Sequence, residues 1–438
     1  MKISFKRNLF LDYYSYMYLL IDIVCTLIGL KFGFISFLIL FVLSLPFYKS
    51  IEHFISIVLL LSTISYYFFG AYENILSIYT ILILVSVISF IFMKKKLLKK
   101  NLSNGWEIIC LCILSYISYS NSPYGYINGL FRVIYILTIT YILGIISNLN
   151  LKKITCILPK LSSILLWSYG IIVVINPIMD STGRLSLSEN VNGNTFAMSC
   201  AINLCIVFLN YYLVRDKKTK LKTVLTLIVG LILILLSGSR TALMAVVLSC
   251  AIIMLINAKR EKRFEGTIFK LLVLGIILVS AVYVVTTVTD LGFSRYNYIK
   301  VIESGGTNRV TIYEELIPFI FYNGYYIYGY GPGHDCTRQV LLPLVNRNYA
   351  HAHNTFLEAF GELGFIGLFL TLFCTVTSFR NIMKLSSYEK SNYIIFGILL
   401  CILISSLGES YFCYAIYWII LTLCRQNIQK KRRKFIWR

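Results

Sequence analysis

Residues 349–370, "YAHAHNTFLEAFGELGFIGLFL", place His351, His353 and Asn354 directly before an apolar run. The chain has only four histidines, and His334, His351 and His353 fall close together in it. A helix N-terminus carries partial positive charge, which favours the neutral imidazole that a general base requires. Thr355 followed by Glu358 has capping-box spacing, so the helix is expected to start at Thr355, with His353 and Asn354 just before it. Asn354, Glu358 and Glu362 then recur every four residues as a polar stripe. Gly361, Gly364 and Gly367 follow at spacing three, suited to close helix packing or to room for a lipid chain.

Anion chemistry is suggested by arginines in apolar surroundings. Arg240 in "LLSGSRTALMAVV" stands at the junction of two hydrophobic runs, where an ionised side chain needs a partner or a wet cavity. Arg184 lies in "DSTGRLSLSENVNGNTFAM", among small and amide residues suited to turns, and Arg309 opens an amphipathic stretch. Guanidinium forks match phosphate oxygens, so three such arginines with a histidine define an expected anion site. The glycine-rich "YGYGPG" could add the backbone N–H groups of Gly331 and Gly333. Arg132 could join them or merely snorkel to the interface.

Metal is not expected. No HExxH occurs, the carboxylates near His351 and His353 form no recognisable ligand set, and Cys110 and Cys112 are one residue apart. The twelve cysteines lie mostly in apolar runs; only Cys336 sits well inside a polar loop, so no disulfide framework is expected. His53 reads as an ordinary interfacial residue in a short cytoplasmic turn.

The elements that must position these groups are membrane helices. The chain is 58% hydrophobic and 14% charged, which indicates an all-α polytopic membrane protein rather than a soluble domain or a β-barrel. Apolar runs predict about 12–14 crossings, at residues 10–30, 32–47, 54–72, 75–93, 106–120, 128–147, 161–179, 194–214, 221–237, 240–257, 267–288, 355–379, 391–407 and 411–424. The first is expected to be a retained helix, not a removed signal peptide. The net charge of +22 falls mainly in clusters between these runs, so it reads as a topology signal and not as a nucleic-acid site. That pattern predicts N- and C-termini in the cytoplasm. The expected organisation is N-terminal helices over 1–179, helices with arginine-bearing outward loops over 180–288, a long extracytoplasmic loop over 289–354, and C-terminal helices with a basic cytoplasmic tail over 355–438. Arg309, Tyr313, Leu316, Ile317 and Ile320 predict one short amphipathic helix in the long loop, at the outer interface.

Four stretches in order, "GRLSLSENVNGNTFA", "SGSRTALMA", "TNRVTIYEELIPF…YIYGYGPG" and "HAHNTFLEAFGELGFIGL", resemble the O-antigen ligase and polymerase superfamily of bacterial envelope enzymes, mainly over residues 180 to 370. The resemblance implies a glycosyltransferase of the bacterial cytoplasmic membrane that uses undecaprenyl-diphosphate-linked oligosaccharide without metal, nucleotide or other cofactor. Arg240 and Arg309 match the arginines taken to bind the donor diphosphate. His353 matches the histidine taken to activate the acceptor hydroxyl, and Arg184 a basic residue before the family's asparagine-containing segment. His351, Asn354, Glu358, Gly331 and Gly333 are candidate supporting residues. The implied partners are the lipid-linked sugar and the bilayer, with a chain-length regulator and a flippase as protein partners. A polymerase is favoured over a ligase because the many Ile, Lys, Asn and Tyr suggest an AT-rich coding region, as surface-polysaccharide clusters often have, and no soluble acceptor-binding domain is seen. A flippase of lipid-linked sugars is the reading from another class; it predicts midplane charges and broken helices in paired halves.

Overall fold

The computed structural model describes residues 2–29, 33–61, 78–92, 105–145, 149–179, 184–187, 193–214, 220–269, 271–272, 275, 309–346, 349 and 351–425. The chain is an all-α membrane protein, as its composition demands. Backbone N–H and C=O groups in hydrocarbon must be satisfied within the chain, and helices do this locally. In chain order the described helices are α1 (Lys2–Gly29), α2 (Gly33–Ser44), α3 (Ile51–Leu61), α4 (Ile78–Phe92), α5 (Trp106–Asn121), α6 (Ile127–Ile145) and α7 (Leu151–Ile175). A two-stranded antiparallel hairpin, β1 (Ile178–Met179) and β2 (Leu185–Ser186), precedes α8 (Gly193–Val214), α9 (Lys220–Leu236) and α10 (Arg240–Arg260). Then come α11 (Arg309–Tyr322), α12 (His334–Val345), α13 (Thr355–Tyr388), α14 (Tyr393–Ser405) and α15 (Ala415–Cys424). Of these, α7, α8, α10 and α13 are long and apolar enough to cross a membrane by themselves.

The core centres on α8, which packs on α7, α9, α10 and α14 and has no distinct polar face, as expected of a helix surrounded by neighbours. Large side chains such as Val174 on α7, Ile228 and Ile232 on α9 and Phe369 on α13 point outward and are exposed, which suits a lipid environment. Most predicted spans match helices within a few residues. The predicted span 161–179 instead begins at Leu151, because Asn150 caps the helix by accepting a hydrogen bond from the Lys153 N–H and the basic residues 152, 153 and 160 lie within it. The predicted span 54–72 is described only as far as Leu61, and the predicted span 267–288 lies almost wholly outside the described residues.

One end of the bundle gathers basic groups. There Lys152 lies 3.7 Å from Glu389, Arg425 pairs with Glu107 at 3.4 Å, and Arg260 donates to the Ser386 carbonyl. His53 belongs to α3 near this end and is fully buried, not interfacial: Nε2 lies 3.0 Å from Asp12, which also pairs with Lys160, and Nδ1 lies 2.7 Å from Ser50 Oγ.

At the opposite end, the part of the long predicted loop that is described folds into two helices rather than one. Ile312, Leu316 and Ile320 of α11 pack with Cys336, Val340 and Leu341 of α12 and with Tyr330 and Phe360 as a small separate core. Ile317, expected on the same face, is exposed. The second helix was not expected; its polar first turn, His334 and Asp335, hides the apolar spacing of Cys336, Val340 and Leu341.

The helix that follows is broken. At Gly364 the backbone has φ 70° and ψ −168°, a region essentially open only to glycine, and a Cβ there would run into the Ile327 carbonyl. The groups freed by the break are satisfied elsewhere: Phe365 N–H donates to the Tyr326 carbonyl at 2.9 Å, and Ser118 Oγ donates to the Glu362 carbonyl at 2.6 Å. Gly361 likewise abuts the Tyr330 ring, so these glycines serve close packing rather than space for a lipid chain. Gly364→Ala is expected to destabilise the protein by about 1–3 kcal/mol from backbone strain alone, more with the collision. Thermal unfolding in detergent measures this, and an unchanged midpoint would contradict it.

Candidate active site

Local sequence determines how each functional group reaches the non-basic end. Ser237–Gly238 ends α9, and Ser239 caps α10 by accepting from the Ala242 N–H, so Arg240 occupies the first turn of α10. Helix α13 does begin at Thr355, but its cap is Asn354 and not Thr355. Asn354 Oδ1 accepts from the N–H groups of Phe356 and Leu357, both at 3.0 Å. Thr355 is used differently: its Oγ1 accepts from the Tyr411 N–H at 2.8 Å and donates to the Glu409 carbonyl at 3.3 Å, while its own N–H donates to Ser406. The start of α13 is thereby stitched to the α14–α15 connection.

That stitching brings in a residue the sequence reading missed. The Glu409 carboxylate accepts from Arg309 Nη2 at 2.9 Å and from Asn194 Nδ2 at 3.0 Å, and its other oxygen lies 3.5 Å from His353 Nδ1. Arg309 therefore comes together with His353 through a shared carboxylate. Burial alone would raise the Glu409 pKa; the adjacent His353 and then the Arg309 guanidinium outweigh it and hold the carboxyl below its usual range. Arg309 also packs on Gly408, as does Thr241, which brings the first turn of α10, with Arg240, to the same place. A small pocket lined by Asn194, Thr195, Met198, Glu409 and Tyr414 opens beside the carboxylate. Glu409 lies in "SSLGESYFCY" between two apolar helices, and the one signal available was an acidic residue in that setting.

His353 itself has φ 54°, an uncommon left-handed conformation for a residue with a side chain, and the Tyr313 hydroxyl donates to its carbonyl at 3.1 Å. Such backbone outliers cluster at functional sites. Asn354→Ala is expected to cost about 1 kcal/mol of helix stability and to lower activity by displacing His353, while Asn354→Asp or Asn354→Ser should largely restore both. Comparing the three variants by thermal unfolding and by activity checks this.

Next to this group lies a second buried cluster. His334 Nε2 lies 3.8 Å and His351 Nδ1 3.9 Å from Glu358 Oε1, and the two imidazoles meet edge to face with centroids 4.0 Å apart. Burial pushes the His351 pKa down to about 3 and that of His334 well below the histidine range, and Arg132 adds like charge to both, so both rings are neutral. Arg132 of α6 thus faces this cluster. Glu362, one turn on, is occupied otherwise: it accepts from the Gly333 N–H at 2.8 Å and from Thr337 Oγ1 at 3.3 Å. The N–H of Gly333 is therefore directed at a carboxylate, and the Tyr330 N–H at the Gly361 carbonyl. Gly331, at φ 114°, lies against Cys336 and Ser122. Cys336 is fully buried in the small core, with Sγ 3.2 Å from the Pro332 carbonyl. Arg184 directly precedes β2, and that strand packs on α8, the helix carrying Asn194.

An all-α membrane bundle with a cluster of histidine, arginine and carboxylate groups at one end narrows the class of protein. Residues 225–372 match a family model described as O-antigen ligase, in agreement with the O-antigen ligase and polymerase superfamily that the sequence resembles. The match runs from α9 to α13 and includes Arg240, Arg309, His351 and His353, whereas Asn194 and Glu409 lie outside it. A search of curated proteins found no match.

Proposed function

We propose that the chain is a polysaccharide polymerase that joins undecaprenyl-diphosphate-linked oligosaccharide repeat units at the outer face of the bacterial cytoplasmic membrane. The observation that carries this reading is the meeting of His353 and Arg309 on Glu409, close to the first turn of α10. A sugar hydroxyl of one repeat unit attacks the anomeric carbon of another. The glycosidic bond forms as the carbon–oxygen bond to the lipid diphosphate breaks, and His353 accepts the hydroxyl proton. Negative charge grows on the departing phosphate oxygen, where the guanidinium groups of Arg309 and Arg240, with Arg184 as a further contributor, stabilise it. On this reading the transfer step uses neither a metal nor a nucleotide. A chain-length regulator and a flippase are the protein partners that fit, one setting product size and the other delivering substrate.

Electrophoretic sizing of surface glycan from a deletion strain tests the proposal. A ladder that collapses to one repeat unit supports a polymerase. Free lipid-linked polymer that is never transferred to its acceptor supports the ligase reading. A flippase is disfavoured because the site is one-sided, at the end of the bundle opposite the basic cluster.

Orientation is tested separately. Cys336 is buried and is a poor reporter, but Tyr322, at the end of α11, is 89% exposed. In a variant carrying Tyr322→Cys, a membrane-impermeant thiol reagent is expected to label the new residue in intact spheroplasts, with the parent chain as background. Labelling that requires lysis would reverse the orientation.

A further inference from the structure

The cluster around Glu358 is not used by the proposed transfer. Both of its carboxylate oxygens, His334 Nε2 and His351 Nδ1 are buried without a hydrogen-bond partner. Glu358 is fully buried and His334 nearly so. Leaving a buried acid and two buried imidazole nitrogens without hydrogen-bond partners is costly, so a group that bridges them is favoured. One ligand atom from each lies within 4.8 Å of the other two. We propose that His334, His351 and Glu358 bind a divalent transition-metal ion of the zinc class. Two imidazoles and one carboxylate form a donor set of known zinc sites, with bond lengths of about 2.0–2.2 Å. Small side-chain rotations from the observed spacing close such a shell.

The Arg132 and Arg338 guanidinium groups oppose a cation at the two histidines, and the carboxyl group of Glu358, with Glu362 beside it, is the acidic counterpart that receives one. The three donors come from α12, from the segment before α13 and from α13 itself. An ion there joins these three segments and fixes His351, two residues before His353. Its donors are not among the groups assigned to the transfer, so the site stands independently of that reading. The sequence hid it because His334 is seventeen residues before its partner His351.

The test uses full-length protein purified in detergent through a histidine-free affinity tag. After exposure to zinc and removal of excess, elemental analysis is expected to find about one zinc per chain. Cobalt(II) added to metal-free protein should give the intense visible absorption of a tetrahedral site. Both signals should disappear in His334→Ala and His351→Ala and persist in His353→Ala and Arg309→Ala. Zinc should also raise the thermal midpoint of the parent protein and leave that of His351→Ala unchanged. Absence of bound zinc and of the cobalt band in the parent protein overturns the proposal. So does a stoichiometric ion retained in both histidine variants. Should those variants fail to fold, cobalt binding to the parent, competed by added zinc, still decides.

Discussion

Replacing His353 with alanine is expected to reduce surface glycan to single repeat units, with a fall in polymer formation of about 10²–10⁴-fold. The argument is chemical. An acceptor hydroxyl is a weak nucleophile until its proton has somewhere to go, and His353 is the imidazole that sits beside Glu409 and Arg309. The variant should retain its fold, since Tyr313 holds the backbone carbonyl of residue 353 and Asn354 still caps α13. Repeat units should therefore still reach the outer surface, where labelling of intact cells detects them. Units stranded on the cytoplasmic side would instead mark a flippase, and a normal ladder would remove His353 from the chemistry.

A comparable loss is expected from either partner of the Arg309–Glu409 pair. Arg309→Ala should lower the transfer rate by about 10²–10³-fold, the usual cost of removing one donor that meets developing oxyanion charge. Arg309→Lys should recover little, because an ammonium cannot present a planar fork to a diphosphate. Glu409→Ala deprives both Arg309 and His353 of the carboxylate that they share. If the three act as a unit, the Arg309→Ala/Glu409→Ala double variant should lose less than the product of the single losses. Rates measured with purified protein and lipid-linked repeat units provide the comparison. Strict additivity, or an active Glu409→Ala protein, would show that the carboxylate is a bystander.

Much of this arrangement was legible in the sequence because it rests on local chemistry. Apolar run length placed most of the described helices to within a few residues, although α1, α7 and α13 each run eight to ten residues beyond one end of the predicted span, and the start of α13 at Thr355 and of α10 at Arg240 followed from polar residues before apolar ones. What escaped depended on contacts between distant segments. Asn354 rather than Thr355 caps α13 because Thr355 is claimed by Glu409 and Tyr411. The break at Gly364 depends on the chain at Tyr326 and Ile327 passing against it, which no spacing of glycines reveals. Glu409 has no motif, and only the folded chain shows what surrounds it. His351 and His353 keep their rings 6.3 Å apart yet face different carboxylates: His351, with His334, faces Glu358, and His353 faces Glu409.

The origin of Glu409 in the link between α14 and α15 has a bearing on biogenesis. Membrane proteins emerge from the ribosome and insert from the N-terminus onward, so both the imidazole and the guanidinium have been synthesised before their common anchor. A nascent polypeptide halted after α13 would possess the histidine and the arginine yet lack the acid that pins them together. On the proposed reading, competence for transfer therefore arrives only once the segment that carries Glu409 has joined those that carry His353 and Arg309.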